Sequence, residues 1–355
     1  MKKWFVAAVL LAGLGCAGNG GDPEVVENTD GEVRAGGYSA IPLFTGLAVP
    51  SNIRFAPDGR LFYTELNTGN VRVIQNGQVL PTPFASLPTS QEGEQGVLGL
   101  ALDPAYTTNK FVYVCYTDLN LLKNRVVRFT DVANVGTNMR VIVDNLPITQ
   151  NHNGGRIAFG PDKRLYVTTG DNRNSSNSQN TASISGKILR YTALGAPAPG
   201  NPIDGNPMWA LGLRNPFGLA FRPGTSIPYA SENGPSCDDE INRIVKGGNY
   251  GWRPSQPCGD TDPAYRKPLK RYTPCIAPTG VTFSSSDFYA IRGSFLMCSL
   301  NDAALRLYSL ADNGSILSQK VILSGLDGGL LDVTEAPDGQ IYLCGFSTIF
   351  RLVKE

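Results

Sequence analysis

The sequence predicts an all-β protein built as a six-bladed β-propeller, and three observations carry that expectation. A unit recurs along the chain: a short apolar strand, a turn on Pro-Asp or Pro-Gly, a second apolar strand, and often a third strand ending in Arg-Val or Arg-Leu. The unit occurs six times. β-branched and aromatic residues are enriched between closely spaced turn residues, and self-similarity at roughly 40–60 residues is the mark of propeller blades, not of a sandwich.

Each copy can be read in order. The first begins at Ile53 (IRFAPDGRLFYTE, then VRVI) and the second at Leu98 (LGLALDP, FVYVCYT, RVVRFT). The third begins at Arg156 (RIAFGPDKRLYVTTGD, then ILRYT) and the fourth at Phe217 (FGLAFRPGTSIPYASENG, then INRIV). The fifth begins at Gly280 (GVTF, SFLMCSL, LRLYSL) and the sixth at Leu330 (LLDVTEAPDGQIYLCG, then IFRLV). The first strand of each blade lines the central channel. Residues that enter these strands from one end therefore meet at one mouth. With the turn proline as a ruler, Gln95, His152 and Arg214 each lie nine positions before Pro104, Pro161 and Pro223. This spacing expects a polar cluster of Glu94, Gln95, His152, Arg214 and Asn215 at the rim.

Composition limits the partners. The 355 residues hold 31 Lys and Arg against 30 Asp and Glu, so there is no basic field for nucleic acid. No composition shift marks a second domain, and one propeller is expected over residues 39–355. Met1-Lys2-Lys3, the apolar run from Trp4 to Leu14 and the small residues around Cys16 read as a secretory signal over residues 1–16. The expected destination is outside the cytoplasm: the periplasm, or the outer membrane or cell surface if Cys16 is lipidated, and otherwise the medium. Membrane contact is expected only through that anchor, because no later segment approaches the roughly 20 apolar residues of a span. Residues 17–38 are polar, lack periodicity and read as a tether. Six cysteines remain after Cys16, an even number in a compartment where disulfides persist, and Cys237 with Cys258 is the favoured pair.

His152 is the single histidine, in Asn-His-Asn-Gly-Gly-Arg. An imidazole can act as general base near neutral pH. A lone histidine bonded to turn backbone is the plainer alternative, and its equivalence to Arg214 across blades tips the reading toward function. Arg214 stands in an apolar segment, so its guanidinium needs an anionic or strongly polar partner, a ligand or a buried acid. The run from Glu232 to Glu240 holds several carboxylates beside a Gly-Pro turn, a set of hard oxygen donors that suits Ca²⁺ but does not have EF-hand spacing.

At these motifs the chain resembles the glucose and sorbosone dehydrogenase family, which includes soluble sugar dehydrogenases that use pyrroloquinoline quinone (PQQ). The likeness is densest at GVLGLALDP, HNGGRIAFGPDKRLYVTTGD, GKILRY, ALGLRNPFGLAF and ENGPSCDDEINRIVKGGNYGW. The resemblance implies a six-bladed propeller that oxidises the anomeric hydroxyl of aldoses and passes electrons to an acceptor other than oxygen. It implies His152 as the base and Arg214 as the residue stabilising charge on the quinone. It further implies Asn215 as a cofactor contact, and Glu94, Gln95 and Asn151 on the sugar side. The carbonyls of Gly234 and Pro235 would hold the Ca²⁺ that grips PQQ, and Glu240, Tyr250 and Asp260 a second, structural Ca²⁺.

The chain departs from that pattern in three places. Asn151 stands where the family has an acid before the histidine. Asn301 follows Ser299-Leu300 where the family has a lysine. Gly329, Leu330 and Leu331 precede Asp332-Val333 where it has two arginines. PQQ is a tricarboxylate, and these positions leave its charge poorly compensated. Two rival readings follow: a propeller that has lost PQQ and binds a carbohydrate or protein partner, and a Ca²⁺-dependent lactonase-like hydrolase with a channel metal on side-chain carboxylates. Lys187, in GKILRY, is a further motif position for a cation.

Overall fold

The computed structural model describes residues 37–355, together with the backbone of two short strands, Val26–Glu27 and Val33–Ala35. The expected signal over residues 1–16, with Cys16, lies outside the described residues. Six antiparallel sheets form the six blades. Their first strands are Pro50–Phe55, Val97–Leu102, Ile157–Phe159, Pro216–Phe221, Pro278–Phe283 and Asp332–Glu335, one in each expected copy. Each first strand packs against the first strand of the next blade, and the sixth against the first, so the ring is closed.

Closure is made by strand exchange between the chain's two ends. The sixth blade takes its outer strand, Tyr38–Phe44, from the start of the described chain, paired antiparallel with Ile349–Lys354 in the register Tyr38 to Lys354. Val33–Ala35 and Val26–Glu27 extend the same sheet outward. Within the segment expected as a tether over residues 17–38, Val33–Ala35 and Val26–Glu27 thus pair along the edge of the sixth blade.

Both faces of every blade are covered, and this explains why second strands such as Leu61–Glu65, Leu165–Thr169 and Phe295–Ser299 are buried at every position instead of alternating. Six apolar clusters result, one in each interface between blades. Phe62 between blades one and two and Leu343 between blades five and six are fully buried. Truncating either to alanine costs about 3–5 kcal/mol. Inside the channel, Asp332 accepts hydrogen bonds from Asn52 Nδ2, the Ile53 amide and Arg54 Nη1, fastening blade six to blade one.

Cys237 and Cys258 form the expected disulfide. The other cysteines do not follow: Cys115, Cys298 and Cys344 are thiols buried in separate blades, and Cys275 faces a cleft beside Asp239. Cys115, Cys298 and Cys344 each pack as small side chains in the apolar clusters between blades. Among the described residues no helix is long and apolar enough to cross a membrane.

Candidate active site

The segments that lead into first strands gather at one mouth of the ring, where they meet the segments that leave second strands. Together they line an open cleft. Glu94, Asn151, His152, Arg214 and Asn215 line it from blades two to four, and Ala277, Thr279, Leu300, Asn301 and Leu331 from blades five and six.

His152 sits at φ +60°, in the left-handed region, within the turn that precedes strand Ile157–Phe159. Two features hold it there. Glu94 Oε2 accepts the backbone N–H of His152 at 2.8 Å and of Asn153 at 3.4 Å. Gly170 lets the His152 carbonyl approach so closely that a β-carbon at position 170 would stand 2.0 Å from it. The ring is then oriented by Asp171, whose Oδ1 accepts Nδ1–H of His152 at 2.7 Å. A carboxylate only accepts, so this bond fixes the tautomer and leaves Nε2 with its lone pair for a ligand in the cleft. Asp171 is itself held by the Arg173 amide at Oδ1 and by the indole N–H of Trp252 at Oδ2, both at 2.7 Å.

Arg214 enters strand Pro216–Phe221. Its Nη1 donates to the Asn233 carbonyl at 3.0 Å, its guanidinium packs over the Trp252 ring at 5.6 Å, and its own amide donates to Glu232. Burial draws its pKa down, while Asp171, Glu94, Glu232 and Asp239 oppose that effect, so the guanidinium stays cationic. Trp252 therefore touches both the histidine's carboxylate and the arginine.

The structure sorts the expected residues. Glu94, Asn151, His152, Arg214 and Asn215 share the cleft. Asn215 is almost wholly buried, with Nδ2 donating to Glu94 and Oδ1 accepting from the Gly154 amide, so its amide braces the histidine turn. Gln95 is not among the lining residues: it is buried, and its amide donates to the Thr149 carbonyl at 3.0 Å. The spacing argument was one residue off in blade two, where the side chain facing the mouth is that of Glu94.

Gly234 and Pro235 line both the cleft and a smaller pocket of about 350 Å³, and among the described residues their carbonyls accept no hydrogen bond. Two unpaired carbonyls on a rigid turn suit a hard divalent cation. Glu240 and Tyr250 reach the smaller pocket, but Asp260 is not among its lining residues. Arg253 pairs with Asp260 at 2.8 Å, and Arg271 joins Glu240 to the Asp260 carbonyl. The expected ligand set for a second Ca²⁺ is thus occupied by guanidinium groups, and the Tyr250 hydroxyl is turned to the Arg243 carbonyl. Glu232 and Glu240 share the Asn242 amide in this pocket, and burial pushes both carboxyls upward in pKa. Lys187 does not reach the cleft: it is buried against the carbonyls of Asn177, Ser178 and Ser185.

Asp171 and Trp252 were not assigned roles from the sequence. Asp171 ends the motif that starts at His152, and an acid that leaves a second strand at the mouth of the histidine's own blade was the available signal. Nothing in the sequence pairs Trp252 with it.

A closed ring of six blades with Glu94, His152 and Arg214 at one mouth defines the protein as a six-bladed β-propeller with a candidate site at that mouth. The model of the glucose / sorbosone dehydrogenase family matches residues 47–348, and the chain belongs to that family. It is 31% identical to an uncharacterized protein of Synechocystis over 90% of this chain and 85% of that one. It is also 31% identical to quinoprotein glucose dehydrogenase B of Acinetobacter calcoaceticus, over 59% of this chain and 51% of that protein. Among solved structures, the PQQ-bound aldose sugar dehydrogenase of Streptomyces coelicolor superposes with a TM-score of 0.80 at 30% identity, covering 90% of this chain and 99% of that one. The expected family and fold are borne out.

The residues present fit one part of PQQ and not another. His152, Arg214 and the Gly234 and Pro235 carbonyls suit a quinone carbonyl and its cation. The lining offers three carboxylates a single cation, Arg214, since Asn301 and Leu331 meet the cleft where the resemblance implies cations.

Proposed function

We propose that the protein is a quinone-dependent sugar dehydrogenase that oxidises the anomeric hydroxyl of an aldose to the lactone. The observation that carries this reading is the His152–Asp171 bond at 2.7 Å beside the cationic Arg214 in one cleft. The hydroxyl proton goes to His152 Nε2 and the anomeric C–H leaves as hydride, so that a C=O bond forms at C1. A quinone, when bound, supplies the hydride acceptor. Asp171 holds the imidazole in the tautomer that can take the proton and stabilises the imidazolium that results. Arg214 sets a fixed positive charge where negative charge develops, which needs no reorganisation during the reaction. Trp252 keeps the carboxylate and the guanidinium in place.

The test is to load the mature protein with Ca²⁺, titrate it with PQQ and with an uncharged quinone, and follow dye-linked oxidation of an aldose panel. Saturable, sugar-dependent dye reduction that falls by about 10²–10⁴ in His152→Ala supports the reading. Dye reduction that survives in His152→Ala overturns it. A second reading, a propeller that binds carbohydrate without a quinone, is favoured by the scarcity of cations in the cleft and predicts sugar binding with no dye reduction. Against a hydrolase with a channel metal stands Asp332, whose carboxylate is already held by Asn52, Ile53 and Arg54. The proposal includes export and a lipid anchor at Cys16, and Cys16→Ser would then move the protein from the membrane fraction to the soluble one.

A further inference from the structure

We infer that the side of the cleft formed by Ala277, Leu300, Asn301 and Leu331 selects an uncharged or singly anionic quinone over the tricarboxylate PQQ. This rests on the dehydrogenase reading and names the acceptor class that the same site takes.

The first argument is charge. Among the described residues Arg214 is the only lysine or arginine that lines the cleft, and Glu94 and Asp239 line it too. Asp171 adds its field at the same guanidinium. The bare lining is therefore acidic. A ligand that brings three carboxylates meets one guanidinium, which already donates to the Asn233 carbonyl. A cation on the Gly234 and Pro235 carbonyls offsets charge on its own side only. Carboxylates desolvated without partners are strongly disfavoured.

Neighbouring cations do not replace the missing ones. Arg156 lies beneath the floor, 3% exposed, against the Phe217 ring at 4.6 Å and bonded to the Leu331 carbonyl, with Asp332 as its counter-charge. Arg306 is paired with Asp302 and Ser299, and Arg271 with Glu240. Lys187 is enclosed by three carbonyls.

The second argument is what this side offers. Ala277, Leu300 and Leu331 present hydrocarbon, and Asn301 presents one amide whose Nδ2 donates to the Cys275 carbonyl at 3.1 Å. Such a surface suits the C–H edge of an unsubstituted ring, with room for a single polar group at Asn301.

The experiment is calorimetric titration of the Ca²⁺-loaded protein with PQQ and with 2-methyl-1,4-naphthoquinone as the uncharged probe. The expected result is at least tenfold tighter binding of the naphthoquinone. Asn301→Lys, at an exposed position, should tighten PQQ tenfold or more, and adding Leu331→Arg should tighten it further while weakening the naphthoquinone, whose ring loses the Leu331 hydrocarbon. Tighter binding of PQQ than of the naphthoquinone by the unaltered protein overturns the inference. So does PQQ affinity that does not change in a folded Asn301→Lys variant, or the binding of neither quinone. Sugar-dependent dye reduction is scored separately: a naphthoquinone that binds but is never reduced defeats the dehydrogenase reading and leaves the selectivity standing.

Discussion

On the side of blades two to four, Glu94, His152, Asp171, Arg214, Asn215 and Trp252 are joined by hydrogen bonds and a ring contact that tie three blades together. Across the cleft, Leu300 and Leu331 arrive with hydrocarbon and Asn301 with one amide. The first side is cross-braced by these bonds, with His152 Nε2 left open to the cleft, and losing one bond leaves its partner buried and unsatisfied. The second side is a hydrocarbon contour backed by the apolar cluster between blades six and one, with Asn301 exposed at its rim. The comparison separates the groups positioned for chemistry from the groups that choose the ligand. On the proposed reading, a chain can hold its base and arginine fixed while the residues that contact the cofactor vary.

Four measurements would break or sharpen that contrast. Arg214→Met should lower kcat by about 10²–10³, the effect of removing one preorganised electrostatic group, with the protein still folded. An unchanged kcat would mean that the charge is structural. Trp252→Phe keeps the ring under Arg214 but removes the donor to Asp171. We expect a fall in kcat of about tenfold, from loss of roughly 1.5 kcal/mol of a charged hydrogen bond, with KM unaltered. A shift in KM alone would assign the tryptophan to ligand contact instead. Leu300→Ala, on the opposite side, should weaken quinone binding by about fivefold through lost apolar contact worth roughly 1 kcal/mol, and leave kcat untouched. A collapse of kcat there would erase the distinction between the two sides.

The smallest effect concerns the acids beneath Arg214. Burial raises both Glu232 and Glu240, and Glu240 is pushed from 4.5 to about 7. The folded protein then keeps protons that the unfolded chain has released. Its stability should be full below about pH 4.5 and decline as pH rises to about 7. Urea unfolding in the presence of a chelator at pH 5 and pH 7.5 checks the sign, and Glu240→Gln should flatten the slope. A rise in stability over that interval would contradict the assignment.

The blades were legible because burial on both faces forces short apolar strands between turn residues, and that demand repeats six times in the sequence. The shared mouth of His152 and Arg214 was legible for the same reason, since equal distance from the turn proline means equal position in the blade. Cys237 and Cys258 flank one connection, which favoured that pair among the possible connectivities. Other features depended on contacts between distant segments. Gln95 and Glu94 are neighbours in sequence, and only the path of the loop decides which one faces the mouth. Asp171 and Trp252 stand 81 residues apart and meet because blades three and four are adjacent. Tyr38–Phe44 completes the sixth blade because a ring must pair its last free edge. Arg253 and Arg271 reach Asp260 and Glu240 from loops whose course no periodicity encodes. The sequence by itself determined the repeating strand pattern and the residues at each blade's entrance, because these follow from local burial and turn chemistry. The tertiary structure decided which side chains face one another across the blades, because charge pairing and hydrogen bonding are settled by distances in space.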